Sequence, residues 1–227
     1  METNVKTSGQ RVRLATILIG LPLLSNVASS IIFAPLFDPN RNATSADFQR
    51  AGILVGIAVL VIESAALSLI AVFLHRERAS LKSAINVQSD RLRVYFVTGL
   101  IALLPTLAAS WLYVQGQSQA GVESNLTRLS TGEVLLWYVV TPVTAPFLEE
   151  TIWRGYAIPR LQGTWRSLLF TSFSFALFHG IFNPLVLVAT FVQGMVWGWV
   201  YQRTESTVPS MVLHFLSRYL ALVPGFG

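Results

Sequence analysis

Apolar residues in this chain fall in long unbroken stretches near 14–37, 52–74, 94–114, 133–158, 167–182, 185–201 and 208–226, with polar residues gathered between them. Most stretches approach the ~20 residues that carry an α-helix across a bilayer, and the fifth and sixth are shorter. Hydrocarbon offers no partner to a free backbone N–H or C=O, so each stretch must satisfy its own backbone, and a helix does so. Runs such as AGILVGIAVLVI, residues 51–62, lack the alternation a transmembrane strand needs. The pattern predicts an all-α fold, a polytopic transmembrane helical bundle of about seven to eight spans. It forms a single membrane domain, with N-terminal spans and a basic loop in 1–132 and a motif-bearing core in 133–227.

Composition agrees: 53% of residues are hydrophobic, only 12% are charged, and the mean hydropathy is +0.57. A soluble core has no use for so much apolar surface. The first stretch is long for the apolar core of a cleaved signal and reads as a retained span. With no cysteine, disulfides and thiolate metal sites are excluded.

The net charge of +5 does not indicate nucleic acid, because the basic residues lie between apolar runs and not on one face. They are instead a topological signal. Lys6, Arg11, Arg13, Arg76, Arg78, Lys82, Arg91, Arg93, Arg154, Arg160, Arg166 and Arg203 fall on one side, against Arg41, Arg50 and Arg128 on the other. The expected orientation in the cell membrane has the N-terminus cytoplasmic and, with an odd number of spans, the C-terminus outside. Between the second and third spans, residues 75–93 read either as a solvated loop or as a surface helix presenting Leu81, Ile85 and Leu92 to lipid.

Against this background, the stretch PFLEETIWRGY, residues 146–156, stands out. Ionisable groups inside a span are costly and mark functional sites, and here they are Glu63, Glu149, Glu150, Arg154, His179, His214 and Arg218. Glu150 and Arg154 are spaced i, i+4, so they share a helix face and can pair. Glu149 is turned by about 100° from Glu150, which leaves it to meet water or substrate. Pro142 and Pro146 can bend the span beside these carboxylates. Counted at ~1.5 Å per residue, Glu150, His179 and His214 lie at depths within about two helical turns of one another, so three helices can surround one cavity open to the cytoplasm.

A carboxylate and a histidine can hold a water and take its proton during attack on a carbonyl, while His214 and Arg218, spaced i, i+4, can face the oxyanion. Alternatively, Glu149, His179 and His214 can hold zinc or another divalent metal with one open position. Hydrolysis is favoured either way, and no serine or cysteine has a nucleophile setting.

These residues resemble a known family. EETIWR resembles the E-E-x-x-x-R motif of the CAAX prenyl protease and bacteriocin-processing family of intramembrane proteases, Phe175 to His179 its F-x-x-x-H motif, and the stretch ending MVLHFLSR its final H-x-x-x-N motif. The resemblance covers roughly 133–220. It implies a helical bundle and an endopeptidase acting on membrane-presented peptides or proteins, with Glu149 and His179 activating water and His214 at the oxyanion site. One position departs from the pattern: Arg218 stands where the family has asparagine. An arginine can donate to an oxyanion, block the cavity or pair with an acid such as Glu63. The alternative function is therefore a non-proteolytic immunity or peptide-binding membrane protein of the same fold. A proton-coupled carrier would show internal repeats, and the chain has none.

Overall fold

The computed structural model describes residues 8–38, 42–119, 130–181 and 183–220. Among them there is no strand. Three long helices come first: α1 (Ser8–Phe33), α2 (Ser45–Arg76) and α4 (Leu92–Gln119), with a short α3 (Leu81–Ile85) before the third. A composite helix follows, made of α5 (Thr131–Val134), a π stretch (Leu135–Val140), α6 (Thr141–Glu150), a second π stretch (Thr151–Ala157) and α7 (Ile158–Arg160). The chain closes with α8 (Trp165–Gly180), α9 (Pro184–Thr204) and α10 (Val208–Leu220).

The helix starts are written locally. Thr44 and Asp47 form a capping box at α2, and Ser130 and Glu133 form another at α5. Asn183 Oδ1 accepts from the Leu185 and Val186 amides while Pro184 takes the first helical position of α9, where its missing N–H costs nothing.

All seven apolar stretches are helical over their described residues, apart from Ile181 in the turn after α8. Four helices have the length and hydropathy to cross a bilayer: Val12–Phe37, Ala46–Arg76, Leu81–Gln117 and Pro184–Thr204. The composite helix falls short because it carries Glu133, Glu149, Glu150, Arg154 and Arg160, and α8 and α10 because they have only 16 and 13 residues. Residues 221–227, part of the last predicted span, lie outside the described residues, as do Lys6, Arg41 and Arg128 of the charge pattern.

Packing is turned inside out relative to a water-soluble bundle. Ile19, Leu23 and Ile31 of α1, Val61 of α2, and Phe96, Leu100 and Leu104 of α4 are exposed. Glu63, Thr106, Ser110, Glu149, Glu150 and Arg154 are buried. Outward apolar faces suit lipid, and inward polar groups must find one another. The core joins both parts of the chain, with Leu14, Ile17 and Ile70 packed together with Trp153, Phe175 and Trp197. Glycines set the closest approaches of α9 to α8: a methyl group on Gly194 would come within 2.9 Å of Ser172, and one on Gly198 would collide with Leu168.

One end of the bundle is polar. Glu77 pairs with Arg13 and Arg160, and Arg91 pairs with Glu205 at 3.2 Å while also donating to the Arg203 carbonyl. Residues 75–93 form neither an open loop nor one continuous surface helix. The chain turns at Arg78 (φ 56°), forms α3, turns again at Asn86 (φ 53°), and docks inward, the Ile85 carbonyl accepting from the Thr207 amide at 3.0 Å. Leu81 and Ile85 lie on α3 while Leu92 begins α4 beyond the left-handed Asn86, so the three do not share one helix face.

Candidate active site

The composite helix changes register at the carboxylates. Pro142 has no N–H for the Tyr138 carbonyl, which accepts instead from the Tyr219 hydroxyl of α10 at 3.2 Å. Straight after Glu150 the helix widens into its second π stretch, a distortion that frequently accompanies functional sites. Gly155 lies in that stretch, and the backbone of α3 presses on it: a Cβ there would come within 2.5 Å of the Ala84 carbonyl.

The expected pairing of Glu150 with Arg154 is present. Arg154 Nε lies 3.2 Å from Glu150 Oε2, with both side chains almost fully buried. The guanidinium also donates from Nη2 to the Gly194 carbonyl at 3.4 Å and lies over the Phe175 ring at 4.5 Å. Glu150 Oε1 is the acceptor for His214 Nδ1 at 3.2 Å. Arg154 thus fixes Glu150, and Glu150 fixes His214.

Glu149 faces the other way, as its rotation on the helix requires. Its Oε2 is 3.4 Å from His179 Nε2 and 3.8 Å from His214 Nε2, and its Oε1 is 3.8 Å from Arg218 Nη2. All six candidates, Glu149, Glu150, Arg154, His179, His214 and Arg218, therefore meet in one cluster built by the composite helix, α8 and α10. Arg218 is paired with Glu149 and forms no ion pair with Glu63 among the described residues.

The hydrogen bonds define both imidazole tautomers. His179 Nδ1 is 2.9 Å from the Phe175 carbonyl, which can only accept, so this nitrogen carries the proton. His214 Nδ1 faces Glu150 Oε1, the oxygen of a carboxyl group paired with Arg154, and it too donates. In the neutral rings, both Nε2 atoms are then bare lone pairs pointing at Glu149 Oε2. That oxygen has no hydrogen-bond partner of its own. When both rings are neutral, three acceptors converge there with no donor among them, an arrangement that a water or a cation completes. No group of three or more His, Cys, Asp or Glu side chains among the described residues has the arrangement of a metal site, so the geometry gives the zinc alternative no added support.

The cluster is least covered at His179 and Arg218. The side chains of Glu149 and His214 are 2% exposed, against 10% for His179 and 26% for Arg218. His179 ends α8 and Arg218 nears the end of α10, whereas both helices begin at the polar end. The reason is physical: α3, laid against Gly155 and bonded to Thr207, covers that end.

Aromatic rings hold the site. Phe175 contacts both histidines edge to face or tilted, and Trp197 stacks on His214 at 4.3 Å and 22°. The Trp197 indole N–H donates to Thr106 Oγ1 at 3.2 Å. Trp197 escaped the sequence reading, although its place in GMVWGWV, inside a span and between two close-packed glycines, was a usable signal. Glu63, the acid offered as a pairing partner for Arg218, has both oxygens buried without a hydrogen-bond partner.

Comparison with known proteins finds one similarity, and it covers this segment. Residues 131–220 match the Rce1-like family, described as type II CAAX prenyl endopeptidase. The match contains every residue of the cluster and bears out the resemblance read from the three motifs. No curated protein and no solved structure matches the chain. The family supports a protease in general and, together with the apolar helices, a membrane protein.

Proposed function

We propose that this protein is an intramembrane endopeptidase that hydrolyses peptide bonds of membrane-presented peptides or proteins by a water activated directly by glutamate and histidine. The observation that carries the reading is the convergence of Glu149 Oε2 with the Nε2 atoms of His179 and His214. A water there donates one proton to Glu149, and its oxygen attacks the carbonyl carbon while His179 keeps it oriented. The water's proton passes through Glu149 to the leaving amine. The oxyanion is met by Arg218, a permanent donor beside the base, and by His214 when it is protonated, with Glu150 at its back. Substrate enters past His179 and Arg218. The proposed setting is the cell membrane, with the polar end and N-terminus cytoplasmic and the C-terminus outside. Lipid and the substrate are the partners, and nucleic acid is not one.

One observation favours a second reading. Arg218 Nη2 stands 3.8 Å from the carboxylate that would be the base. A chain that binds peptides without cutting them, as an immunity protein would, can keep this neutralised arrangement. Purified protein in liposomes, offered membrane-anchored peptides, separates the two. Cutting by wild type that is lost in Glu149→Gln at equal folded protein supports hydrolysis. Peptide retention with no cutting, unchanged by Arg218→Asn, supports the second reading.

A further inference from the structure

An apolar groove runs along the surface where α4 and α8 flank α9. Ile101, Pro105, Leu168, Met195, Val196 and Trp199 line it around a space of about 280 Å³, and no residue of the catalytic cluster takes part. Its origin is local. Pro105 withholds an N–H from the Ile101 carbonyl and its ring crowds the preceding turn of α4, and both residues face the groove. The helices on either side of it, α4 and α9, have the length and hydropathy to cross a bilayer, so hydrocarbon is what meets this surface.

One end of the groove is cationic. Trp199, at its rim, lies beneath the guanidinium of Arg203, whose Cζ is 5.9 Å from the ring. The two are one turn apart on α9, so the cation stands ~6 Å beyond the groove, toward the polar end. Gln202 Nε2 donates to the Gly163 and Thr164 carbonyls at 2.8 and 3.2 Å, which holds the end of α9 against the start of α8. Arg166 stands at that start, its Cζ 5.7 Å from the Trp165 ring. Both arginines are exposed, and neither forms an ion pair among the described residues. The acid nearest to Arg203 in sequence, Glu205, is held by Arg91 at 3.2 Å. Two unanswered guanidiniums over tryptophan rings, at the mouth of an apolar groove, complement an anionic headgroup carried on a hydrocarbon chain.

We propose that this groove binds one anionic phospholipid, its acyl chain along Ile101, Met195 and Val196 and its phosphate at Arg166 and Arg203. Guanidinium suits the task, because it meets a phosphate with two parallel N–H donors while its stem lies along an apolar surface. A zwitterionic lipid fills the same groove with hydrocarbon but brings its own cation to the two arginines. A second copy of the chain in the same membrane orientation brings its arginine-bearing end to the same level, cation against cation, which disfavours a protein occupant. The site is independent of the proposed hydrolysis.

Native mass spectrometry of the full chain, released from liposomes holding equal phosphatidylglycerol and phosphatidylcholine with matched acyl chains, reads the occupant. Wild type should retain one phosphatidylglycerol in preference to phosphatidylcholine, by about fivefold for each guanidinium. The double variant Arg166→Gln/Arg203→Gln changes only exposed side chains and should erase the preference. Met195→Trp fills the groove and should lower retention of both lipids. In wild type alone, short-chain phosphatidylglycerol should compete poorly with the long-chain form, which separates a groove site from a bare headgroup contact and needs no variant to fold. Equal retention of the two headgroups by wild type, an unchanged preference in the double variant, or equal competition by the short-chain lipid overturns the proposal. A dimer that carries no lipid overturns it in favour of a second copy.

Discussion

Removing Arg154 should expose how much of this site depends on one buried cation. Arg154 is 1% exposed, and its guanidinium pairs with Glu150 at 3.2 Å, donates to the Gly194 carbonyl and lies over Phe175. Arg154→Met keeps much of the volume but strands Glu150 as a buried charge, and breaking such a pair from one side costs about 3–5 kcal/mol. The lost contact with the aromatic face adds roughly 1–2 kcal/mol at a desolvated position. Against a total stability of about 5–15 kcal/mol, the variant should be marginal. Arg154→Lys should fall between, because a point charge cannot pair with Glu150 and also reach the Gly194 carbonyl. The double variant Glu150→Gln/Arg154→Met removes both charges together and should recover at least 1–3 kcal/mol relative to the sum of the single changes. Denaturant or thermal unfolding in detergent, run as a double-mutant cycle, reads all four forms. Additivity within about 0.5 kcal/mol would refute the claim that Arg154 and Glu150 form an obligatory pair.

Other outcomes follow from single contacts. Gly155→Ala should cost about 1–3 kcal/mol, because its methyl meets the backbone of Ala84, which cannot swing aside as a side chain can; an unchanged melting midpoint would contradict the docking of α3. Trp197→Phe should leave folding nearly intact while weakening the stack on His214 and deleting the bond to Thr106, so the loss should appear in kcat before KM. Arg218→Asn should preserve or raise cleavage if residue 218 serves the oxyanion, and abolish it if its pairing with Glu149 is indispensable. The chain has no cysteine, so a single cysteine at Ser83 is a clean topological probe; an impermeant thiol reagent should label it from the cytoplasmic side only. Chelators should leave cleavage unchanged if water activation needs no metal, and a loss restored by zinc would reinstate the metal alternative.

The helices and the members of the site were legible because their signals are local. Hydrocarbon forces long apolar runs into helices, and the i, i+4 spacing of Glu150 and Arg154 survives any arrangement of neighbouring helices. Charges inside spans marked the cluster itself. What escaped depends on how each helix is turned about its own axis. Spacing within α10 could not say whether Arg218 meets Glu63 or Glu149, since both acids lie on other helices. The stack of Trp197 on His214 likewise depends on the rotation of α9 against α10, set by Gly194 and Gly198 against α8. The cover that α3 lays over the polar end was not foreseen, because five helical residues between two left-handed turns leave almost no periodic signal. Pro142 and Pro146 pointed to a distorted helix, but not to a π register.

The central claim is that Glu149 takes the proton of a water that then joins the substrate. Cleavage of a membrane-anchored peptide in heavy-oxygen water, followed by mass spectrometry of the fragments, tests it most directly. The account predicts one heavy oxygen in the new carboxyl group for wild type and a rate lower by about 10²–10⁴ in folded Glu149→Gln. Labelled cleavage at an undiminished rate in Glu149→Gln would contradict it.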